Sequence, residues 1–280
     1  MKVCVLGLGE VGLPTGEYMV RKGIEVLGYD IKQEAVERAK TQGIKASTHW
    51  EELPVSDVYI ICVYAGLKNN SPDFSSIFEV CEKIKAKNLH LPSSKVCLIS
   101  VESTVIPGLC RKLYEEIFQR RVNLVHVPHR YWAGDPIKHG VKQPRVIGAI
   151  NNKSLKEGLN FYNGILGVPL HKVSSIEIAE MSKIAENAYR YVQIAFAEEL
   201  KIVCDELEMN FKEVREACNT KWNIEIPEAR DGIGGHCIPK DAKYFSSLTK
   251  RAKLIDSAML VDEIYRKWIR EKVGKRIIQK

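Results

Sequence analysis

Over its first half the chain alternates short, β-branched apolar runs with stretches whose apolar residues recur at helical spacing. KVCVLGL (2–8), EVLGYD (25–30), DVYIICV (57–63) and KVCLIS (95–100) read as buried strands, and 11–23, 33–41 and 74–87 as amphipathic helices between them. This βαβα order implies a parallel sheet joined by right-handed crossovers. NLVHV (123–127), RVIGA (145–149) and PLHKV (169–173) extend the same sheet. From Ser174 the period changes. Ser174-Ser175 followed by Glu177 is a capping signal that opens a helical pattern free of Pro and Gly to about Met209. A helix of that length spans on the order of 50 Å, which suits a domain link or a dimer interface. A helix near 211–219, the loop DGIGGHCIPKD and a last helical pattern over 240–274 follow. The expectation is an α/β chain: a Rossmann-type, mostly parallel sheet over 1–173, then an all-helical domain over 174–280 entered through the long helix.

Composition narrows this picture without changing it. At 280 residues and 45% hydrophobic, the chain supplies core for two globular domains. Met1-Lys2 leads straight into a strand with no leader-like segment, and no apolar run approaches the ~20 residues of a membrane span, so a cytoplasmic protein without membrane contact is expected. The net charge of +7 suits phosphate-bearing ligands, but Lys and Arg are scattered and no aromatics interleave with a basic block, which argues against nucleic acid. The eight cysteines show no CxxC pair and no zinc-type spacing, so no metal is expected. Cys4, Cys62 and Cys97 sit in apolar strands. Cys237 lies in a glycine-rich turn, where a packing role is hard to supply.

Gly7, Gly9 and Gly12 form G-L-G-E-V-G between a strand and a helix. In that context glycine permits the tight turn, the close approach of backbone to a pyrophosphate, and the seating of the helix N-terminus on the sheet. Glu10 and Val11 fall within the same loop. Asp30 ends the second strand, 18 residues beyond Gly12, where a carboxylate accepts from ribose hydroxyls and repels a 2′-phosphate. NAD is therefore favoured over NADP.

Four segments, GLGEVGLP (7–14), VESTVIPG (101–108), EMSKIAENAYR (180–190) and GIGGHCIPKD (232–241), resemble the UDP-glucose/GDP-mannose dehydrogenase family. The resemblance covers nearly the whole chain, and the last segment is the most specific. It implies two successive NAD-dependent oxidations of a sugar C6 hydroxyl on a nucleotide sugar, most simply a UDP-glucose-like one. The path runs through a thiohemiacetal and a thioester on Cys237, which holds the aldehyde while one cofactor leaves and the next enters. Gly234 and Gly235 permit a turn beside Cys237 at the substrate, and Lys240, or a helix beginning near Asp241, is placed to favour the thiolate. Lys183 and Asn187, four apart and so on one helix face, match the family's oxyanion-stabilising pair. Thr104 and Asp241 match its water-positioning threonine and general-base aspartate. Val63, Glu102, Ser103 and Lys240 are expected on the cofactor side.

Three departures qualify this expectation. The family's Pro-Glu loop reads Pro128-His129-Arg130-Tyr131-Trp132-Ala133-Gly134 here, which removes its glutamates. His129 is then either a substrate-facing base or a loop histidine. After Val63 the family's Val-Pro-Thr-Pro is replaced by Tyr64-Ala65-Gly66. The second Rossmann-like domain usual in the family would begin where the last helix ends; either the substrate is held with less protein, or a second chain supplies the cap, or the protein continues beyond the sequence given. A homodimer through the long helix is expected. The alternatives to a nucleotide-sugar dehydrogenase are a single-step β-hydroxyacid-type dehydrogenase, which would leave Cys237 unemployed, and a non-catalytic NAD-binding subunit.

Overall fold

The structure, a computed structural model, describes residues 1–88, 96–136 and 138–278, with side chains through Lys272. Lys95, at the start of the fourth expected strand, lies outside the described residues. Two compact units are present: Met1–Gly66 with Pro72–Lys183, and Leu67–Ser71 with Ile184–Lys280. The division falls inside the long helix, rather than at 173/174.

In the first unit, β1 (Lys2–Leu6), β2 (Glu25–Tyr29), β3 (Lys45–Ser47), β4 (Val58–Ile61), β7 (Leu98–Val101), β8 (Asn123–His126), β9 (Arg145–Ala149) and β10 (Leu170–Lys172) form one sheet. Its order is β10-β9-β8-β7-β4-β1-β2-β3. From β3 to β8 this is the doubly wound 3-2-1-4-5-6 order, with every pair parallel. β9 runs antiparallel to β8, so the sheet is mixed at this edge. Residues of β4 are buried throughout, which is why that strand reads as a continuous apolar run and not as an alternation. Helices α1 (Gly12–Arg21), α2 (Gln33–Thr41) and α3 (Ser75–Asn88) fall close to their predicted places.

Several elements were not legible in the pattern. β3 is a three-residue edge strand. α5 (Asn152–Leu159), N-capped by the Asn151 side chain accepting from the Ser154 backbone N–H, is the crossover that the parallel β9–β10 pair requires. The two-stranded β5–β6 ribbon (Gly66–Lys68, Ser71–Asp73) follows β4 directly, where the family tetrapeptide is missing. Its turn residues Asn69 and Asn70 both have positive φ, the primed-turn conformation that asparagine tolerates.

α6 (Ile176–Glu206) is the long helix. It stops short of Met209 because Glu208 adopts a left-handed conformation (φ 55°) and the Met209 N–H turns back to the Cys204 carbonyl, a Schellman-type closure. In the second unit α7 (Phe211–Cys218), α8 (Cys237–Ser247) and α9 (Lys253–Ile278) pack with the later turns of α6. The single helix expected over 240–274 is thus two helices. The break has a local cause: Ser247 Oγ donates back to the Tyr244 carbonyl, Leu248 N–H bonds the Phe245 carbonyl, and Thr249 Oγ1 accepts from Arg251 N–H.

Candidate active site

Parallel strands put the residues after β1, β2, β4 and β7 on one edge of the sheet, and the order reverses between β1 and β4. Ligands bind at such a switch point. Gly7 (φ 90°) lies against the Cys62 carbonyl oxygen, which a Cβ there would approach to 2.6 Å, and a Cβ on Gly12 would stand 1.8 Å from the Gly7 oxygen. A Cβ on Gly9, by contrast, would meet nothing within 4 Å. Two glycines therefore close the turn and the third leaves its outer face open. The first amides of α1, with Glu10 and Val11 ahead of them, have no side-chain cap, which is what an anion requires of a helix N-terminus. Asp30 closes the arrangement: Oδ2 accepts from Leu8 N–H at 2.7 Å and Oδ1 from Lys32 N–H at 2.9 Å. Each oxygen keeps a lone pair for a ribose hydroxyl. These residues fit NAD. Gly12→Ala is expected to weaken NAD binding by about 100-fold or more, because the methyl group forces the loop off the strand and costs a few kcal/mol; equilibrium titration with NAD measures it, and unaltered affinity would contradict the assignment.

Beneath this edge lies a polar cluster that sequence reasoning did not find. Glu102, with no exposed side-chain surface, takes Arg145 Nη1 at 3.0 Å and the Tyr162 hydroxyl at 2.6 Å on Oε1. Its Oε2 faces Cys62 Sγ at 3.8 Å and His129 Nε2 at 3.6 Å. Ser100 Oγ lies 2.7 Å from the Tyr162 hydroxyl, and Arg145 Nη2 donates to the Val141 carbonyl. Burial and the Glu102 charge push the Cys62 thiol up, so it stays protonated. Glu102 and Ser103, expected on the cofactor side, turn their side chains into the protein. Ser103 Oγ donates to the Val63 carbonyl at 2.6 Å and so fixes the loop after β4. The one advance signal was Arg145, a charged residue opening an otherwise apolar strand.

His129 is 5% exposed. Its Nδ1 accepts from the Tyr131 N–H, so the neutral ring carries its proton on Nε2, which lies 3.1 Å from Thr15 Oγ1. The lone pair is committed to Tyr131 instead of being open to a substrate. Burial, then Arg145 and Lys183, holds its pKa well below the usual value, and burial pushes His126 in β8 down to about 3. A histidine whose folded pKa lies below its unfolded value of about 6.5 is neutral in the fold and takes up its proton first on unfolding. Stability is therefore full above about pH 6.5 and falls as pH drops toward 3, by up to about 1.4 kcal/mol per pH unit for each such histidine. Urea unfolding at pH 7 and pH 5 should differ by about 2 kcal/mol from His126 alone, and His126→Leu should remove that share. An unchanged pH slope in the variant would refute it.

Thr104 is partly exposed on the loop after β7, and Lys183 partly exposed on α6. Glu180, one turn before Lys183 and fully buried, joins their elements. Its Oε2 accepts from the Gly108 N–H at 2.6 Å and Oε1 from the Cys110 N–H at 2.8 Å, capping the short helix α4 (Leu109–Lys112) that follows the Thr104 loop. Burial pushes its carboxyl up. This residue lay in plain sight in EMSKIAENAYR, but only the fold shows its partners.

In the second unit Asp241 is fully buried. Asn187 Nδ2 donates to its Oδ2 in a short hydrogen bond, and Lys240 Nζ pairs with Oδ1 at 2.8 Å while lying 4.4 Å from the centre of the Tyr244 ring. Lys240 is 6% exposed, so its charge is spent on Asp241 and Tyr244. Cys237 is exposed and is the first residue of α8. Helix N-termini favour anions, thiolates included. Asp241 stands one turn further along the same helix. Gly234 and Gly235 are exposed just before it, Gly235 at φ 81°. Among the described residues no cluster suited to a metal ion occurs, and no helix is long and apolar enough to cross a membrane.

The doubly wound sheet, the glycine cradle and Asp30 define a dinucleotide-binding α/β chain whose cofactor is NAD. The chain belongs to the UDP-glucose/GDP-mannose dehydrogenase family: that family's NAD binding domain matches residues 1–48 and 35–166, and its central domain residues 177–264. It is 31% identical over 278 residues to a UDP-N-acetyl-D-mannosamine dehydrogenase of Methanococcus maripaludis, covering 92% of this chain and 64% of that protein. Against the enzyme of the same name from Methanocaldococcus jannaschii it is 30% identical over 301 residues, covering 100% and 69%. The solved UDP-D-ManNAc dehydrogenase from Pyrococcus horikoshii superposes with a TM-score of 0.90 at 27% identity, covering 100% of this chain and 72% of that one. The chain thus spans about two thirds of the length of these relatives.

Proposed function

We propose that the chain carries out NAD-dependent oxidation of the C6 primary alcohol of a UDP-linked N-acetylhexosamine to the uronate, with Cys237 as covalent catalyst. The observation that carries the reading is the placement of Cys237 at the first position of α8, one turn before a buried Asp241 held by Asn187 and Lys240. NAD, held by the Gly7–Gly12 loop and Asp30, would supply the hydride acceptor for each of the two oxidations, with the hydroxyl proton lost to water. The chain's own residues do the rest. Cys237 adds to the aldehyde and, after the second oxidation, holds the acyl group as a thioester until water releases the acid. Lys183 and the remaining amide hydrogen of Asn187 are the donors for the oxyanions. Asp241, paired on both oxygens, orients Asn187, and Thr104 positions the water.

The relatives' names favour an N-acetylmannosamine substrate over the UDP-glucose expected from the motifs. A single-step β-hydroxyacid enzyme would give no work to Cys237, which lies inside the matched central domain. A second copy of the chain, docked along α6, completes the proposal: Tyr189, Phe196 and Val203 recur every seven residues on that helix and are 66%, 53% and 44% exposed.

The test is to supply NAD with UDP-N-acetylmannosamine or UDP-glucose and to count NADH per sugar consumed. Two per UDP-N-acetylmannosamine, with UDP-glucose turned over more slowly, supports the reading. One per sugar restricts it to the first oxidation. No NADH from either sugar, with or without a separately supplied nucleotide-binding domain, would overturn it in favour of a non-catalytic subunit.

A further inference from the structure

The loop that delivers Cys237 is irregular from Asn219 to His236, yet one point in it is fixed from three sides. The Ile233 N–H donates to Asp262 Oδ1 at 2.8 Å, and the Ile233 carbonyl accepts from Arg266 Nη2 at 2.8 Å. The Ile233 side chain, 3% exposed, packs with Ala188 and Tyr191 of α6, Ala242 of α8 and Ile255 and Ala258 of α9. Arg266 Nε contacts both Asp262 oxygens at 3.0 Å, so carboxylate and guanidinium, one turn apart on α9, form a rigid two-pronged clamp. Gly232 makes room for it: its φ is 100°, and a Cβ there would lie 2.7 Å from Arg266 Cζ. Asp262 Oδ2 also accepts from the Tyr191 hydroxyl at 3.2 Å, and Tyr191 is one turn along α6 from Asn187. The clamp therefore ties the backbone four residues before Cys237 to the helix face that carries Asn187. Glu198, two turns past Tyr191 on α6 and fully buried, is pushed up to about 8 by burial and by the Asp262 charge.

We infer that Asp262 and Arg266 are positioning residues for Cys237: they hold Ile233 so that the loop enters α8 with Cys237 at its first position, aligned with Asn187 and Asp241. The inference rests on the reading of Cys237 as the covalent catalyst. Asp262 touches neither substrate nor cofactor in this role. It acts through the backbone.

The test compares Asp262→Ala, Asp262→Asn and Arg266→Gln with the parent chain. Alkylation of Cys237 by iodoacetamide is followed at several pH values by peptide mass spectrometry, with the exposed Cys218 of α7 as internal reference. Loosening the loop frays the first turn of α8 and removes its support of the thiolate. In Asp262→Ala the Cys237 rate at pH 7 should fall about five-fold or more relative to Cys218, with its pH profile displaced upward. Turnover should drop by about ten- to a hundred-fold with KM for NAD unchanged, since a catalytic group misplaced by ~1 Å costs that much. Asp262→Asn keeps an acceptor for the Ile233 N–H and should recover most of both quantities. Should Asp262→Ala fail to fold, Arg266→Gln, which removes the hold on the Ile233 carbonyl and the guanidinium's pairing with Asp262 but leaves Asp262 to accept from the Ile233 N–H, should show the same displacement in smaller degree. Parent-like Cys237 labelling and turnover in the folded variants would overturn the inference. If the labelling shift appears while Cys237→Ser retains full turnover, the clamp stands and the catalytic reading of Cys237 fails.

Discussion

Replacing Cys237 by serine is expected to lower sugar oxidation by more than about 1,000-fold, leaving NAD affinity unchanged within two-fold. A serine hydroxyl at the start of α8 is a far weaker nucleophile than a thiolate. Asp241, one turn on, is engaged by Asn187 and Lys240, and its neighbour Lys240 is tied to Asp241 and Tyr244. The aldehyde is then not held while one cofactor is exchanged for the next, and no acyl-enzyme forms. Steady-state NADH production, acid-quenched for a sugar adduct on the Cys237 peptide, provides the measurement. An adduct in the parent chain and none in the variant fits the proposal. Undiminished turnover in Cys237→Ser would return the chain to a single-step dehydrogenase.

Arg145→Met should have the largest effect on stability. Neither Arg145 nor Glu102 has exposed side-chain surface, and the pair lies inside the sheet layer with Tyr162, Cys62 and His129 around it. Removing one partner strands the other charge, at a cost of about 3–5 kcal/mol. For a chain of this size that lowers Tm by roughly 10 °C. The complementary Glu102→Leu, Arg145→Met double variant removes both charges. It should recover about half or more of the loss, because a buried ion pair replaced by apolar groups of similar volume is often near neutral. Calorimetry on the three variants closes the cycle. Equal and additive losses for the two single changes would mean that the pair is not coupled and that Glu102 is satisfied by Tyr162 alone.

The strand and helix pattern of the first half was legible because its physics is local. A parallel strand buried on both faces must be apolar throughout, as β4 is, and α1, α2 and α3 show the helical period of a half-buried face. The glycine spacing was legible for the same reason: the need for Gly at 7 and 12 arises from backbone within a few residues or across one neighbouring strand. Helix ends and short elements were less so. The break after Ser247 depends on hydroxyls bonding back to the helix, and those same residues are tolerated within helices elsewhere.

What the sequence by itself determined was most of the strands of the sheet and the glycine cradle for NAD, since each is encoded by residue type at short range. Tertiary structure alone decided which loop residues turn their polar atoms into the protein. Glu102, Ser103 and His129 come from the loops that border the cofactor edge, yet Arg145, Val63 and Tyr131 draw their polar atoms inward from 2 to 43 positions away. Asp262 reaches Ile233 across 29 positions. Such pairings follow from the order of strands and the packing of helices, and buried polar groups must find partners wherever the fold supplies them. No periodicity or motif in a single chain records where that will be.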